Sequence, residues 1–156
     1  MTYVVSIADF KISDSFEDII ITHGLGSCIG LSIYDPILKI GGIFHFMLPY
    51  AIKANNKNPL MFADMGIPIF LNQMKKYKCN LKTSIIKASG AASLNNDGKL
   101  FDIAKQNIDA LKNILNDYNL IINNSDLGGN YYRTMKLSLF DGKVVCKNHF
   151  KGEWEI

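Results

Sequence analysis

The sequence predicts an α/β chain of the α+β type, a single layered domain over residues 1–156 whose mixed, largely antiparallel sheet core is flanked by helices. Three observations lead there. Short β-branched runs crowd the first third with only turns between them, so strands there lack the crossover that parallel pairing requires. Two later stretches carry a helical apolar rhythm. Asp141-Gly142, set between two alternating runs, is a hairpin signal.

In chain order, Val4 to Phe10 and Ile19 to Thr22 read as short strands, followed by Ile29 to Tyr34 and Ile40 to Leu48 around the Asp35-Pro36 turn. Ala51 to Pro59, with Asn55-Asn56-Lys57-Asn58, is a polar loop. Apolar residues at 62, 65, 69, 70, 71, 74 and 77 predict a helix over Met61 to Tyr77, with Pro68 marking a first turn or a kink. Leu81 to Lys87 is a strand leading into the small-residue turn Ala88-Ser89-Gly90-Ala91-Ala92-Ser93. Asp102 to Tyr118 is the clearest helix, with Ile103, Ile108, Leu111, Ile114, Leu115 and Tyr118 on one face. Leu120 to Asn123 reads as a strand. The Gly128-Gly129-Asn130 turn then leads to Tyr132 to Phe140 and, across the hairpin, to Lys143 to His149.

Bulk properties exclude several classes of function. The 156 residues, 48% hydrophobic and 20% charged, suffice for one core and lie far from the composition of disordered chains. The net charge of +3 comes from scattered lysines with Arg133 as the sole arginine, which is no stripe for tracking phosphates, and nucleic acid is not expected as a partner. No basic residue precedes Lys11. The longest uncharged stretch, Ile19 to Tyr34, is shorter than the ~20 residues of a membrane span, so neither secretion nor membrane insertion is expected. Three scattered cysteines, 28, 79 and 146, form no disulfide framework, and the expected location is the cytoplasm.

Chemistry concentrates in Gly24-Leu25-Gly26-Ser27-Cys28-Ile29, where a cysteine sits in a glycine-flanked turn ahead of a strand. Glycines there let backbone amides approach a developing oxyanion. His45 lies in a second apolar run, Gly41 to Pro49, an odd position for a merely structural imidazole. A cysteine attacks acyl carbons only as thiolate and needs a base, which His45 supplies. Thr22 offers a hydroxyl to fix the imidazole, the third-member function in such sites. This reading expects Cys28 to be at least partly exposed and to alkylate faster than Cys79 or Cys146, both taken as structural or surface thiols. His23 would point to the face opposite Thr22, and Cys146 with His149 is too small a set for zinc.

Thr22-His23-Gly24-Leu25-Gly26-Ser27-Cys28 and Gly41-Gly42-Ile43-Phe44-His45-Phe46-Met47-Leu48-Pro49 resemble the two signature segments of the chemoreceptor glutamine deamidases, the CheD family of bacterial and archaeal chemotaxis. The spacing of threonine, cysteine and histidine agrees as well as the letters. Ala63-Asp64-Met65-Gly66-Ile67-Pro68, Ser89-Gly90-Ala91 and Gly128-Gly129-Asn130-Tyr131 follow in the family's order. Departures are Ser89 for a glycine, Gln106 for an arginine before Asn107, and Tyr132 for a glycine ahead of Arg133.

The resemblance implies hydrolysis of glutamine side-chain amides on the cytoplasmic helices of methyl-accepting chemoreceptors, with Cys28 as nucleophile, His45 as base and Thr22 as its orienter. Ser27 and Gly26 would shape the oxyanion turn, and Asn130 would line or brace the site. The scheme uses no cofactor and no metal. The family also binds a CheC-type phosphatase, so the alternative is a regulatory binding module with little or no deamidase activity. A third reading is a thiol hydrolase of another acyl group, such as a receptor methyl ester.

Overall fold

The structure is a computed structural model that describes residues 1–52, 58–93 and 99–156, with no side chains described for 99–102. Among the described residues, ten strands form two five-stranded sheets. Sheet I has the order β1 (Thr2–Val5), β3 (Ile19–Leu25), β8 (Arg133–Ser138), β9 (Val144–Asn148), β10 (Gly152–Glu155). Sheet II has the order β2 (Asp9–Ser13), β5 (Ile40–Phe46), β4 (Ile29–Asp35), β6 (Ile85–Gly90), β7 (Asn124–Leu127). β1–β3 and β6–β7 pair parallel, and the remaining ladders are antiparallel. The expected mixed, largely antiparallel core is present. The helices are α1 (Ala63–Lys76) and α2 (Lys99–Asp117), with a 3-10 turn at Pro59–Met61 ahead of α1.

Strand alternation explains how the layers stack. On β4 and β5 one set of residues, Ile29, Leu31, Ile33, Phe44 and Phe46, packs toward α1 and α2 in one core. The other set, Tyr34 and Ile43, packs together with Cys28 of the preceding turn against Ile20, Leu25, Met135 and Leu137 of sheet I in a second core. Sheet II is therefore the middle layer, buried on both faces, and β4 has no exposed residue. Such a strand reads as a continuous apolar run rather than an alternating one.

Three expectations need correction, and one strand was unforeseen. Val4 to Phe10 is not one strand: β1 lies in sheet I and β2 in sheet II, joined by a turn in which Ala8 takes φ 59°. Both pieces are β-rich, so the change of sheet leaves no mark in composition. The strand placed at Leu120 to Asn123 lies at Asn124–Leu127, and β6 runs Ile85–Gly90 rather than Leu81 to Lys87. β10 was not anticipated, because Gly152-Glu153-Trp154-Glu155 carries two charges on an edge strand. Pro68 lies inside α1 and forgoes the amide bond toward the fourth preceding carbonyl. Residues 53–57 of the expected polar loop lie outside the described residues.

Candidate active site

The ladder registers bring one end of the two sheets together. Leu25 pairs with Arg133, and Ile29 pairs with both Phe46 and Gly90, which itself pairs with Leu127. Thr22 and His45 lie just inside that end, on facing surfaces of sheets I and II. Between Thr22 and Leu25 the β3–β8 register slips, and Gly24 takes φ +68° in the bulge. Bulges re-aim the chain next to functional sites, and this one carries β3 into the turn that holds Cys28.

Thr22 and His45, both 0% exposed, are joined across the sheets by a 2.8 Å contact between Oγ1 and Nδ1. Thr22 Oγ1 also donates to the Val5 carbonyl at 2.8 Å. A hydroxyl has one proton and a carbonyl only accepts, so both contacts are satisfied when His45 carries its proton on Nδ1 and donates it to Thr22. That tautomer leaves the Nε2 lone pair unprotonated. Nε2 is buried and has no hydrogen-bond partner among the described residues. Gly30 pairs with His45 on the neighbouring strand, and a Cβ there would meet the Thr22 methyl at 3.3 Å.

The turn before β4 is held by its carbonyls. Ala92 N–H donates to the Gly26 carbonyl at 2.7 Å, Asn107 Nδ2 to the Ser27 carbonyl at 2.8 Å, and Ala91 N–H to the Cys28 carbonyl at 2.8 Å. Gly90 makes the last approach possible, since a Cβ at its φ of +121° would lie 2.2 Å from the Cys28 oxygen. With the carbonyls turned that way, the Ser27 and Cys28 amides donate to no acceptor among the described residues.

Cys28 departs from the expected exposure. It is 7% exposed, and burial pushes its thiol up to about 11. Burial also lowers His45 to about 4. At neutral pH the pair is thus thiol and neutral imidazole rather than an ion pair. No hydrogen bond joins them among the described residues. Cys79 is raised to about 11 as well, so the resting geometry gives Cys28 no ionisation advantage over it. Cys146 is wholly buried, with Sγ 3.3 Å from Ser89 Oγ, which gives the serine at this position a partner.

The other named residues separate. His23 is exposed and contacts Thr134 Oγ1 at 3.2 Å, on the face opposite Thr22 as alternation requires. Asn130 is exposed and bonds to none of Thr22, Cys28 or His45 among the described residues. It forms, with Gly24, part of the wall of a cavity of about 780 Å³ beside the turn. Cys146 faces the inter-sheet core while His149 is exposed, so the Cys-x-x-His pair does not converge.

Sequence reading passed over Asn107. It is 0% exposed on α2, and its Nδ2 donates both to Ser27 O and, at 3.0 Å, to Met47 O. One amide group therefore ties the turn before Cys28 to the segment just after His45. A signal was available: Asn107 falls four residues after Ile103 and four before Leu111, a polar residue on the apolar stripe of the helix. Asn107→Leu is expected to strand both carbonyls at roughly 1–3 kcal/mol each. Denaturant unfolding at neutral pH checks this, and an unchanged midpoint would contradict it.

The family model described as CheD chemotactic sensory transduction matches residues 47–148. A relative from Clostridium tetani is 40% identical over 158 residues, covering 99% of this chain and 95% of its own. The chain belongs to the CheD family. A Syntrophus aciditrophicus relative is 38% identical over 148 residues, covering 93% of this chain and 92% of its own. A Caldanaerobacter subterraneus relative is 40% identical over 149 residues, covering 92% and 90%. All three CheD relatives carry the name probable chemoreceptor glutamine deamidase. The CheD family model begins after His45, and the near full-length relatives extend the likeness toward the Cys28 turn.

Proposed function

We propose that this CheD protein hydrolyses glutamine side-chain amides on chemoreceptor cytoplasmic helices to glutamate and ammonia. The observation that carries the chemistry is the unpartnered His45 Nε2, left as a lone pair because Thr22 fixes the proton on Nδ1. The substrate comes from the names of the relatives. Cys28 Sγ attacks the carboxamide carbon as its proton passes to His45 Nε2. The oxyanion is held by the Ser27 and Cys28 amides, which the carbonyl bonds of the turn leave available. His45 then protonates the departing ammonia and a thioester remains. Water, giving its proton to His45, cleaves the thioester to glutamate and regenerates the thiol.

The neutral resting pair makes proton transfer concerted with attack, since a buried thiolate formed beforehand would be costly. Chemoreceptor helices are the proposed partners, and the CheC-type phosphatase implied by the resemblance is the second. No described helix is long and apolar enough to cross a membrane, and the proposed site of action is the cytoplasm.

A free imidazole would lose its lone pair below its ordinary value of 6.5, whereas His45 is lowered to about 4. Turnover is therefore expected to stay level as pH falls through 6.5 and to drop only toward 4. A kcat profile with its acid limb centred near 6.5 would contradict the buried base. The function itself is tested by peptide mass spectrometry of receptor cytoplasmic fragments incubated with this protein and with Cys28→Ala. Conversion of glutamine to glutamate by the intact protein alone supports the reading, and conversion by neither defeats it.

A further inference from the structure

We propose that the cavity beside the Cys28 turn is a docking groove for acidic side chains flanking the target glutamine on a receptor helix, an inference that rests on the deamidase reading. Its position is the first argument. Gly24, in the bulge that leads into the Cys28 turn, forms one wall, and the start of β8 with the β9–β10 turn forms the other. Gly24 stands four residues before Cys28, and Arg133 of the groove pairs with Leu25, so the groove opens at the sheet end that holds the Cys28 turn. About 780 Å³ is room for several side chains.

Charge is the second argument. Among the described residues no carboxylate lines the groove, while Lys147 and Lys151, both exposed, do. Arg133 also borders it, but is 2% exposed and paired with Asp126 at 3.0 Å. Lys151 is positioned by Tyr131, whose hydroxyl accepts its Nζ at 3.0 Å. Lys147 faces Glu153 across the β9–β10 ladder yet makes no ion pair among the described residues. At the rim Phe150 is 91% and Tyr132 58% exposed, large apolar surface suited to the stems of helix side chains. Two lysines on an aromatic rim fit carboxylates on a helix. The phosphates of nucleic acid would need a longer basic stripe.

Binding of a purified chemoreceptor cytoplasmic fragment to the Cys28→Ala protein tests this without relying on turnover. Lys147→Glu with Lys151→Glu is expected to weaken binding on the order of tenfold. Lys76→Glu, at the exposed end of α1, is expected to leave it unchanged. Added salt should weaken the parent more than the double variant. If the reversed pair disturbs the circular dichroism spectrum, Lys147→Gln with Lys151→Gln supplies the comparison. Equal affinity of parent and double variant, or no binding by the parent, overturns the groove. Groove-dependent binding alongside a wild-type protein that converts no glutamine would instead overturn the deamidase reading and leave the groove standing.

Discussion

Cys28→Ser is expected to keep the fold and to lose turnover to the limit of detection. The hydroxyl has nearly the shape of the thiol but ionises far less readily, and the buried imidazole that serves a thiol is too weak a base for it. Removing the nucleophile from a set of residues that act together has cost on the order of 10⁶ in kcat elsewhere. The cost to stability is modest by comparison, about 1–3 kcal/mol if the buried hydroxyl finds no partner. Thermal unfolding of the variant should therefore remain cooperative while glutamate formation disappears. A folded Cys28→Ser protein with measurable turnover would move the nucleophile elsewhere.

His45→Ala is expected to cost ~10² to 10⁴ in rate, because one side chain serves both as base for the thiol and as acid for ammonia. Thr22→Val should cost less. Valine keeps the volume between the sheets but strands the His45 Nδ1 proton and the Val5 carbonyl, so the imidazole still samples the productive orientation without being held in it. Thr22→Ser should recover most of the loss by restoring the hydroxyl, which a purely packing role would not predict. If folded Thr22→Val were as inactive as Cys28→Ala while His45→Ala stayed near wild type, base and orienter would be misassigned, and His23 would be the next residue to examine.

Thr22, Cys28 and His45 are legible in the sequence because each sits in a short segment whose local pattern is unusual for a core strand. The contact between Thr22 and His45 joins different sheets, yet spacing and residue type foreshadow it. The burial of Cys28 is a different matter. A glycine-flanked turn reads as open, but its carbonyls are tied to Ala91, Ala92 and Asn107, and these partners are distant in the chain. The passage of the chain from sheet I to sheet II at Ala8 is hidden for a similar reason, since local preference says strand on both sides and only the pairing differs. β10 escaped because its charges face solvent on an edge, where burial leaves no alternation to read.

The measurement that tests the central claim most directly is labelling by a receptor peptide whose target glutamine carries an electrophilic chloroketone in place of its carboxamide. Such a group places a reactive carbon where the amide would sit and records which atom attacks. The account predicts a single adduct on Cys28, slowed by His45→Ala and absent from Cys28→Ala, with Cys79 and Cys146 unmodified. An adduct on another residue, or inactivation that persists in Cys28→Ala, would contradict it.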